Sequence, residues 1–250
     1  MTNILEYLEN TPHPTKTAFT GDTSSLTFGA LSALSRAIGS YLCSQNIHKQ
    51  PIPVFMGKSP EMIAAFFGVV YSGNYYVPLD VDMPAPRIRL ILEKIASHTG
   101  QGDMPKTAPP LIICDDAWET TLGEWGYKTC RFTDIITFPI NDAALAAVRQ
   151  TATDVDPVYV VFTSGSTGVP KGVVASHRAV IDYVDNLCPV LNVSENTVFG
   201  NQSPLYLDAC LKELFPTLKY GASTFLIPKS LFMFPIKLVE YIREKGINTV

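Results

Sequence analysis

Charge is scarce in this 250-residue chain: only 17% of its residues are Asp, Glu, Lys or Arg. The 19 basic and 23 acidic side chains leave a net charge of −4, and no run of Lys or Arg stands out from that balance. The electrostatic footprint of a nucleic-acid binder is missing. Long hydrophobic runs are missing too. The longest apolar stretch, Met62 to Tyr71, is about half of the roughly 20 residues that a membrane-spanning helix needs. The opening, MTNILEYLEN, carries neither a basic start nor a small-residue cleavage site. The five cysteines (43, 114, 130, 188 and 210) form no CxxC and no metal-ligand spacing. The expectation is a cytoplasmic protein with reduced, partly buried thiols and with neither nucleic acid nor membrane as a partner. With 46% hydrophobic residues, and only 19 Pro and 16 Gly, the chain is neither disordered nor of low complexity.

What is there reads as alternating helix and strand. Thr27 caps a predicted helix whose apolar face is Phe28, Leu31, Leu34, Ile38 and Leu42. A strand follows at Ile52 to Met56. Ser59, Pro60 and Glu61 then read as a cap, a first-turn proline and an acid at the positive helix end. That helix carries Phe66 and Phe67 and stops at Gly73. Tyr75 to Leu79 is a strand, Pro84 to Ala96 a helix, Ser97 to Pro110 a loop and Leu111 to Cys114 a strand. Residues 115–157 are the least legible: a short strand, a polar connection and one Ala-rich helix near 142–150. Beyond them, strands are expected at Val158 to Phe162, Gly172 to Ala175, Thr197 to Phe199 and Ser223 to Ile227. Helices are expected at Arg178 to Leu187, Ala209 to Phe215 and Pro235 to Lys245, with a last strand beginning at Ile247. Strands separated by helices predict an α/β fold of mixed, mostly parallel sheets flanked by helices.

One segment is chemically distinctive. Between the strands at Val158 and Gly172 lies a loop with four hydroxyls (Thr163, Ser164, Ser166, Thr167), two glycines (Gly165, Gly168), one cation (Lys171) and no acid. Glycine permits close backbone approach, and successive N–H groups in such a turn form an anion-binding nest. It is not a Walker loop, because Val169 and Pro170 separate Gly168 from Lys171 and a strand follows instead of a helix. The GxGxxG spacing fails as well. A plain surface hairpin with ordinary turn residues is the alternative.

The string TSGSTGVPKG at 163–172 is similar to the phosphate-loop signature of the adenylate-forming superfamily. That superfamily includes acyl-CoA synthetases, firefly-type luciferases, and the adenylation domains of nonribosomal peptide synthetases with their D-alanine–carrier protein ligase relatives. Leu26 to Leu31 (LTFGAL) resembles the first adenylation motif and Tyr71 to Asp80 (YSGNYYVPLD) the second; Ser176, His177 and Arg178 follow at the family's distance. Leu207 to Cys210 (LDAC) takes the place of the family's FDxS, altered at both ends but keeping Asp208. The resemblance implies that Asp208 pairs with the α-ammonium of an amino-acid substrate, and that Ala209 and Lys212 line the side-chain pocket. From the residues alone, Asp208 also reads as a helix N-cap and Lys212 as its i,i+4 ion-pair partner. His177, Tyr75, Tyr76, Phe66 and Phe67 read as packing residues, and Cys210 as no nucleophile.

The resemblance further implies a two-step ligase: ATP-dependent formation of an aminoacyl-adenylate with Mg²⁺ assisting, then transfer to the phosphopantetheine thiol of a carrier protein. Thr163, Ser164, Gly165, Ser166, Thr167, Gly168 and Lys171 would hold the ATP phosphates, and no residue is assigned to a metal. The family's later motifs, including the catalytic lysine of a C-terminal domain, are not found in these residues. The expectation is that residues 1–250 are the N-terminal portion of an adenylation domain, with weak turnover alone. An acyl-CoA ligase and a non-catalytic nucleotide-binding module are the alternatives.

Overall fold

The computed structural model describes residues 1–98, 110–163 and 170–250. A short helix α1 (Leu5–Glu9) leads into the antiparallel pair β1 (Thr17–Thr20) and β2 (Ser25–Thr27). Helix α2 (Phe28–Ser44) starts where expected, with the Thr27 hydroxyl accepting from the Ala30 N–H. Then come β3 (Pro51–Met56) and α3 (Pro60–Tyr71), whose Ser59 cap accepts from the Met62 N–H. After β4 (Tyr75–Asp80) and α4 (Ala85–His98), β5 (Leu111–Cys114) resumes the sheet. In residues 115–157, α5 (Glu119–Glu124) and α6 (Phe132–Ile135) add to the expected strand, β6 (Lys128–Arg131), and the expected helix, α7 (Asp142–Thr151). The first of these helices has six residues and α6 four, too few to show a period.

The hairpin β7 (Pro157–Thr163) and β8 (Lys171–Ser176) precedes α8 (His177–Val190), β9 (Val198–Asn201), α9 (Leu211–Tyr220), β10 (Ser223–Leu226) and α10 (Pro235–Glu244). The helix expected from Ala209 begins only at Leu211, because Asp208–Cys210 forms a 3₁₀ turn ahead of it. The strand expected from Ile247 amounts to a single parallel bridge between Phe199 and Thr249. None of the helices among the described residues is long and apolar enough to cross a membrane.

Two sheets result. The larger has the order β6-β5-β3-β4-β7-β8 and is parallel except for β7–β8; the smaller has the order β2-β1-β10-β9 and is parallel except for β1–β2. The larger sheet is covered on both faces, so its inner strands are apolar throughout. Val54, Met56 and Tyr76 face a core shared with α2, α3, α9 and the smaller sheet, whereas Phe55, Val77 and Leu79 face Ile88, Ile91, Leu92 and Ile95 of α4. Phe66 stacks on Tyr76 with ring centroids 4.2 Å apart, as the packing reading requires.

Helices α2 and α3 approach each other through two glycines. A Cβ on Gly68 would sit 2.5 Å from Ile38 Cβ, and one on Gly39 would sit 2.7 Å from Tyr71 Cβ. At the far end of the sheets Lys58, between β3 and α3, ties them together. Its ammonium donates to the Asn201 carbonyl at 3.0 Å and the Ile227 carbonyl at 3.3 Å, at the ends of β9 and β10. Burial pushes this ammonium down to about 8, with Glu213 opposing the shift.

Gly68→Ala is expected to lower stability by about 1–3 kcal/mol through forced separation of α2 and α3, measured as a denaturant midpoint. For Lys58, the unfolded chain holds a proton between pH 8 and the ordinary lysine value that the folded chain has released. Its contribution is flat below about pH 8 and becomes more favourable as pH rises through that window. The stability difference between wild type and Lys58→Met should follow this trend across pH 7 to 10.5; a flat difference would remove the titration.

Candidate functional site

The β7–β8 hairpin is pinned at both ends by its register. Pro157 pairs with Ser176 at the root and Thr163 with Lys171 at the tip, where Thr163 Oγ1 lies 3.5 Å from the Lys171 carbonyl oxygen. Strand β7 supplies core residues, including Val158 and Val160, whereas β8 is an edge strand exposed from Lys171 to Val174. Ser164, Gly165, Ser166, Thr167 and Gly168 lie outside the described residues. Lys171 and Thr163 are both exposed, and among the described residues no ion pair engages Lys171.

The tip opens onto a trough at the carboxyl ends of the parallel strands, where ligands of open α/β sheets bind. Beside the hairpin is a cavity of about 480 Å³ whose walls include Arg87, Phe162, Thr163, Tyr206 and Leu207. It shares Asp80, Asp82, Tyr206 and Lys229 with a second cavity of about 290 Å³ that reaches Lys58 and Met62. Lys229 crosses the shared wall to Asp82 at 2.8 Å.

A third cavity, of about 340 Å³, lies on the other side of the hairpin. Tyr159 and Ala175 of the hairpin form one wall, Ala179 and Tyr183 of α8 the second, and Asp208 and Ala209 the third. The structure thus brings together Asp208, Ala209 and the hairpin strands. Asp208 is no helix cap: the turn that it opens has no side-chain capping bond, and its carboxylate stays exposed. Nor does it pair with Lys212. The 3₁₀ turn breaks the α-helical i,i+4 geometry, and the Lys212 ammonium lies 3.5 Å from Glu213 Oε1 instead. Lys212 is not among the residues that line the cavity.

Glu213 stands behind this wall, 1% exposed, and accepts from Asn201 Nδ2 at 3.1 Å. Burial raises its carboxyl above the usual carboxylate range, against the pull of Asn201 and Lys212. Asn201 is the residue whose carbonyl Lys58 holds, so a polar chain runs from the end of β3 to α9. Burial, reinforced by Asp208, pushes the Tyr159 phenol up to about 12. Tyr159 therefore offers a hydrogen-bond donor at neutral pH. Cys210 is buried and its thiol is pushed up to about 12, chiefly by burial, so no thiolate is available there. The described cysteines are all free.

Sequence reasoning missed Tyr159, Tyr183 and Lys58. The period-2 alternation of β7 places Tyr159 on one face, yet nothing in the string says which face meets α8. Lys58 follows a strand and a glycine, with no local sign that two distant carbonyls await it.

Comparison with known proteins shows the family and the fold. The D-alanine–D-alanyl carrier protein ligase of Lactiplantibacillus plantarum is 32% identical over 211 residues, which is 82% of this chain and 38% of that protein. The ligase of the same name from Bacillus velezensis is 30% identical over 240 residues, 94% of this chain and 44% of that protein. This chain thus spans less than half the length of each. The solved nonribosomal peptide synthetase FmoA3 superposes with a TM-score of 0.81 at 23% identity, over 99% of this chain and 25% of that one, which shows the shared fold. Residues 9–250 match the family described as AMP-binding enzyme, and the chain belongs to that family.

Proposed function

We propose that this chain serves in ATP-dependent activation of an amino acid as its aminoacyl-adenylate, followed by transfer to the phosphopantetheine thiol of a carrier protein. The observation that carries this reading is that one hairpin serves two neighbouring spaces. Its strands wall the Asp208 cavity through Tyr159 and Ala175, while its Thr163 end borders the trough. The names of the ligase relatives support the same reading. In this proposal Thr163 and Lys171, with Ser164, Gly165, Ser166, Thr167 and Gly168 between them, hold the β- and γ-phosphates. Asp208 pairs with the α-ammonium of the substrate, Ala209 lines its side chain, and Lys212, engaged with Glu213, takes no part. Residues 1–250 act as the N-terminal portion of the adenylation domain.

The chemistry needs no general base. A substrate carboxylate oxygen attacks the α-phosphorus, the bond from that phosphorus to the bridging oxygen breaks, and pyrophosphate leaves with the electron pair. The protein contributes in-line positioning and neutralisation of phosphate charge. In the second step a thiol sulfur attacks the acyl carbon, the acyl–phosphate oxygen bond breaks, AMP leaves, and the thiol proton passes to solvent. Mg²⁺ accompanies the ATP phosphates and supplies further charge neutralisation. Among the described residues no group of three or more His, Cys, Asp or Glu could hold a metal, so no protein ligand is assigned to it.

Lys171→Ala is expected to weaken ATP binding about tenfold or more, the scale of one hydrogen bond to a charged group, measured by titration calorimetry. Unchanged affinity would remove the hairpin from the phosphate site. Asp208→Ala is expected to reduce binding of α-amino acids, in the presence of ATP, about tenfold or more. Their deamino analogues, for example D-alanine set against propionate, should be spared. Equal losses for both classes would discard the ammonium role and favour an acyl-CoA ligase.

A further inference from the structure

We propose that Glu213 holds a proton which it shares with Asn201, and that exchange of this proton for the Lys212 ammonium forms a pH-sensitive switch between β9 and α9. The adenylation reading makes no use of Glu213 or Asn201. Both side chains are 1% exposed, and Asn201 Nδ2 donates to Glu213 Oε2 at 3.1 Å. That bond leaves one oxygen over on each side chain. Asn201 Oδ1 and Glu213 Oε1 are both buried without a hydrogen-bond partner among the described residues. Lys212 Nζ lies 3.5 Å from Oε1, at ion-pair distance but outside hydrogen-bond geometry.

Two buried oxygens without a donor are unfavourable. An ionised carboxylate only accepts, and so does an amide oxygen, so the two cannot satisfy one another. A hydrogen on Oε1 removes the conflict. A protonated carboxyl donates through one oxygen and accepts through the other, which complements an amide. The two side chains then close a cyclic pair of hydrogen bonds, and both unpartnered oxygens are satisfied at once. Turning the Asn201 amide over does not remove the need, since its oxygen would then face Oε2 and require a hydrogen there.

The surroundings agree. Burial is the largest influence on this carboxyl and raises it. Four titratable groups face it: Lys212 on its own helix, Lys58 beyond β3, Tyr183 on α8 and Cys210 in the turn before α9. Tyr183 is raised and Cys210 is pushed up to about 12, so neither brings a charge at neutral pH. The two lysines oppose the proton. Lys58 already commits N–H groups to the Asn201 and Ile227 carbonyls. Lys212 is therefore the cation that takes the proton's place. In the exchange the carboxyl releases its proton to solvent, the bond from Oε1 to Oδ1 is lost, and Oε1 gains the Lys212 charge instead. Among the described residues Lys212 has no other ion pair. With Glu213 neutral, its charge stands uncompensated in the first turn of α9.

A carboxyl raised by folding adds stability at low pH, which is lost as pH climbs to its folded-state value. Glu213→Gln supplies the donor permanently. The stability of the wild type relative to this variant should therefore fall as pH rises from about 5 to 9, by up to about tenfold in the folding equilibrium constant per pH unit. Lys58 titrates in both chains and drops out of the difference. Lys212→Met should match the wild type near pH 5 and fall behind it as pH rises, because the carboxylate then lacks its cation. A third measurement needs no variant: the side-chain carboxyl ¹³C resonance of Glu213, assigned through bonds in the wild type, should titrate above the ordinary glutamate value. A resonance that titrates at or below that value, a stability difference that stays flat or grows with pH, or a Lys212→Met loss that is complete at pH 5 or absent throughout would each overturn the proposal. The pair would then be an ionised carboxylate whose neighbouring amide oxygen is met by water.

Discussion

The trough depends on two sheets keeping their carboxyl ends side by side, and the ammonium of Lys58 spans them. It leaves the end of β3 and reaches the carbonyls that finish β9 and begin the segment after β10. Burying an ammonium is costly unless hydrogen bonds replace its water, and two carbonyls do so here. Burial still pulls its pKa below the ordinary lysine value. The same contact fixes Asn201, whose amide holds Glu213 on α9. Three polar side chains thus connect the larger sheet to α9, the helix that follows the Asp208 turn. None of these contacts is local in sequence, so the geometry exists only once both sheets have formed.

Two carboxylates five residues apart take opposite parts. Glu213 is buried, bonded to Asn201 and faced by Lys212; Asp208 is exposed and free of a cap bond. The 3₁₀ turn at Asp208–Cys210 makes the difference. Had α9 begun at Asp208, its carboxylate and Lys212 would share a helical face and compensate one another. Because the regular helix starts at Leu211, Lys212 turns to its neighbour Glu213. Asp208 is left exposed on the cavity wall, with no cap bond. Tyr159 opposite, held protonated, presents a donor and no competing anion.

Features governed by short-range chemistry were legible in the sequence. Thr27 and Ser59 cap the helices that their spacing predicted, and the apolar faces of α2 and α4 are buried as the period required. The packing reading of Phe66 and Tyr76 holds, as does the inert thiol at Cys210. Asp208, singled out by its place in the LDAC string, lines a cavity that the hairpin also walls. What the string concealed depends on tertiary context. A cap and a 3₁₀ turn use the same acidic residue, so Asp208 was ambiguous. Lys212 had two carboxylates within reach, and the turn geometry chose between them. The small helices α5 and α6 fold because β6 pairs with β5, a contact that their own residues do not announce.

The hairpin connects two unlike ends of the sheet, and its strands are not equally constrained. β7 lies between β4 and β8, with most of its side chains in the core. β8 is paired on one side only among the described residues, and its side chains from Lys171 to Val174 are exposed. At the root it is anchored: Ser176 caps α8 through the Ala179 N–H, the His177 N–H donates to the Asp156 carbonyl, and the His177 ring takes the Ile4 N–H. Side-chain exposure along β8 therefore increases from Ser176 toward Lys171, although the register with β7 holds at both ends. β7 is thus held by the core along its length, and β8 is the edge that joins the anchored His177 to the exposed Lys171.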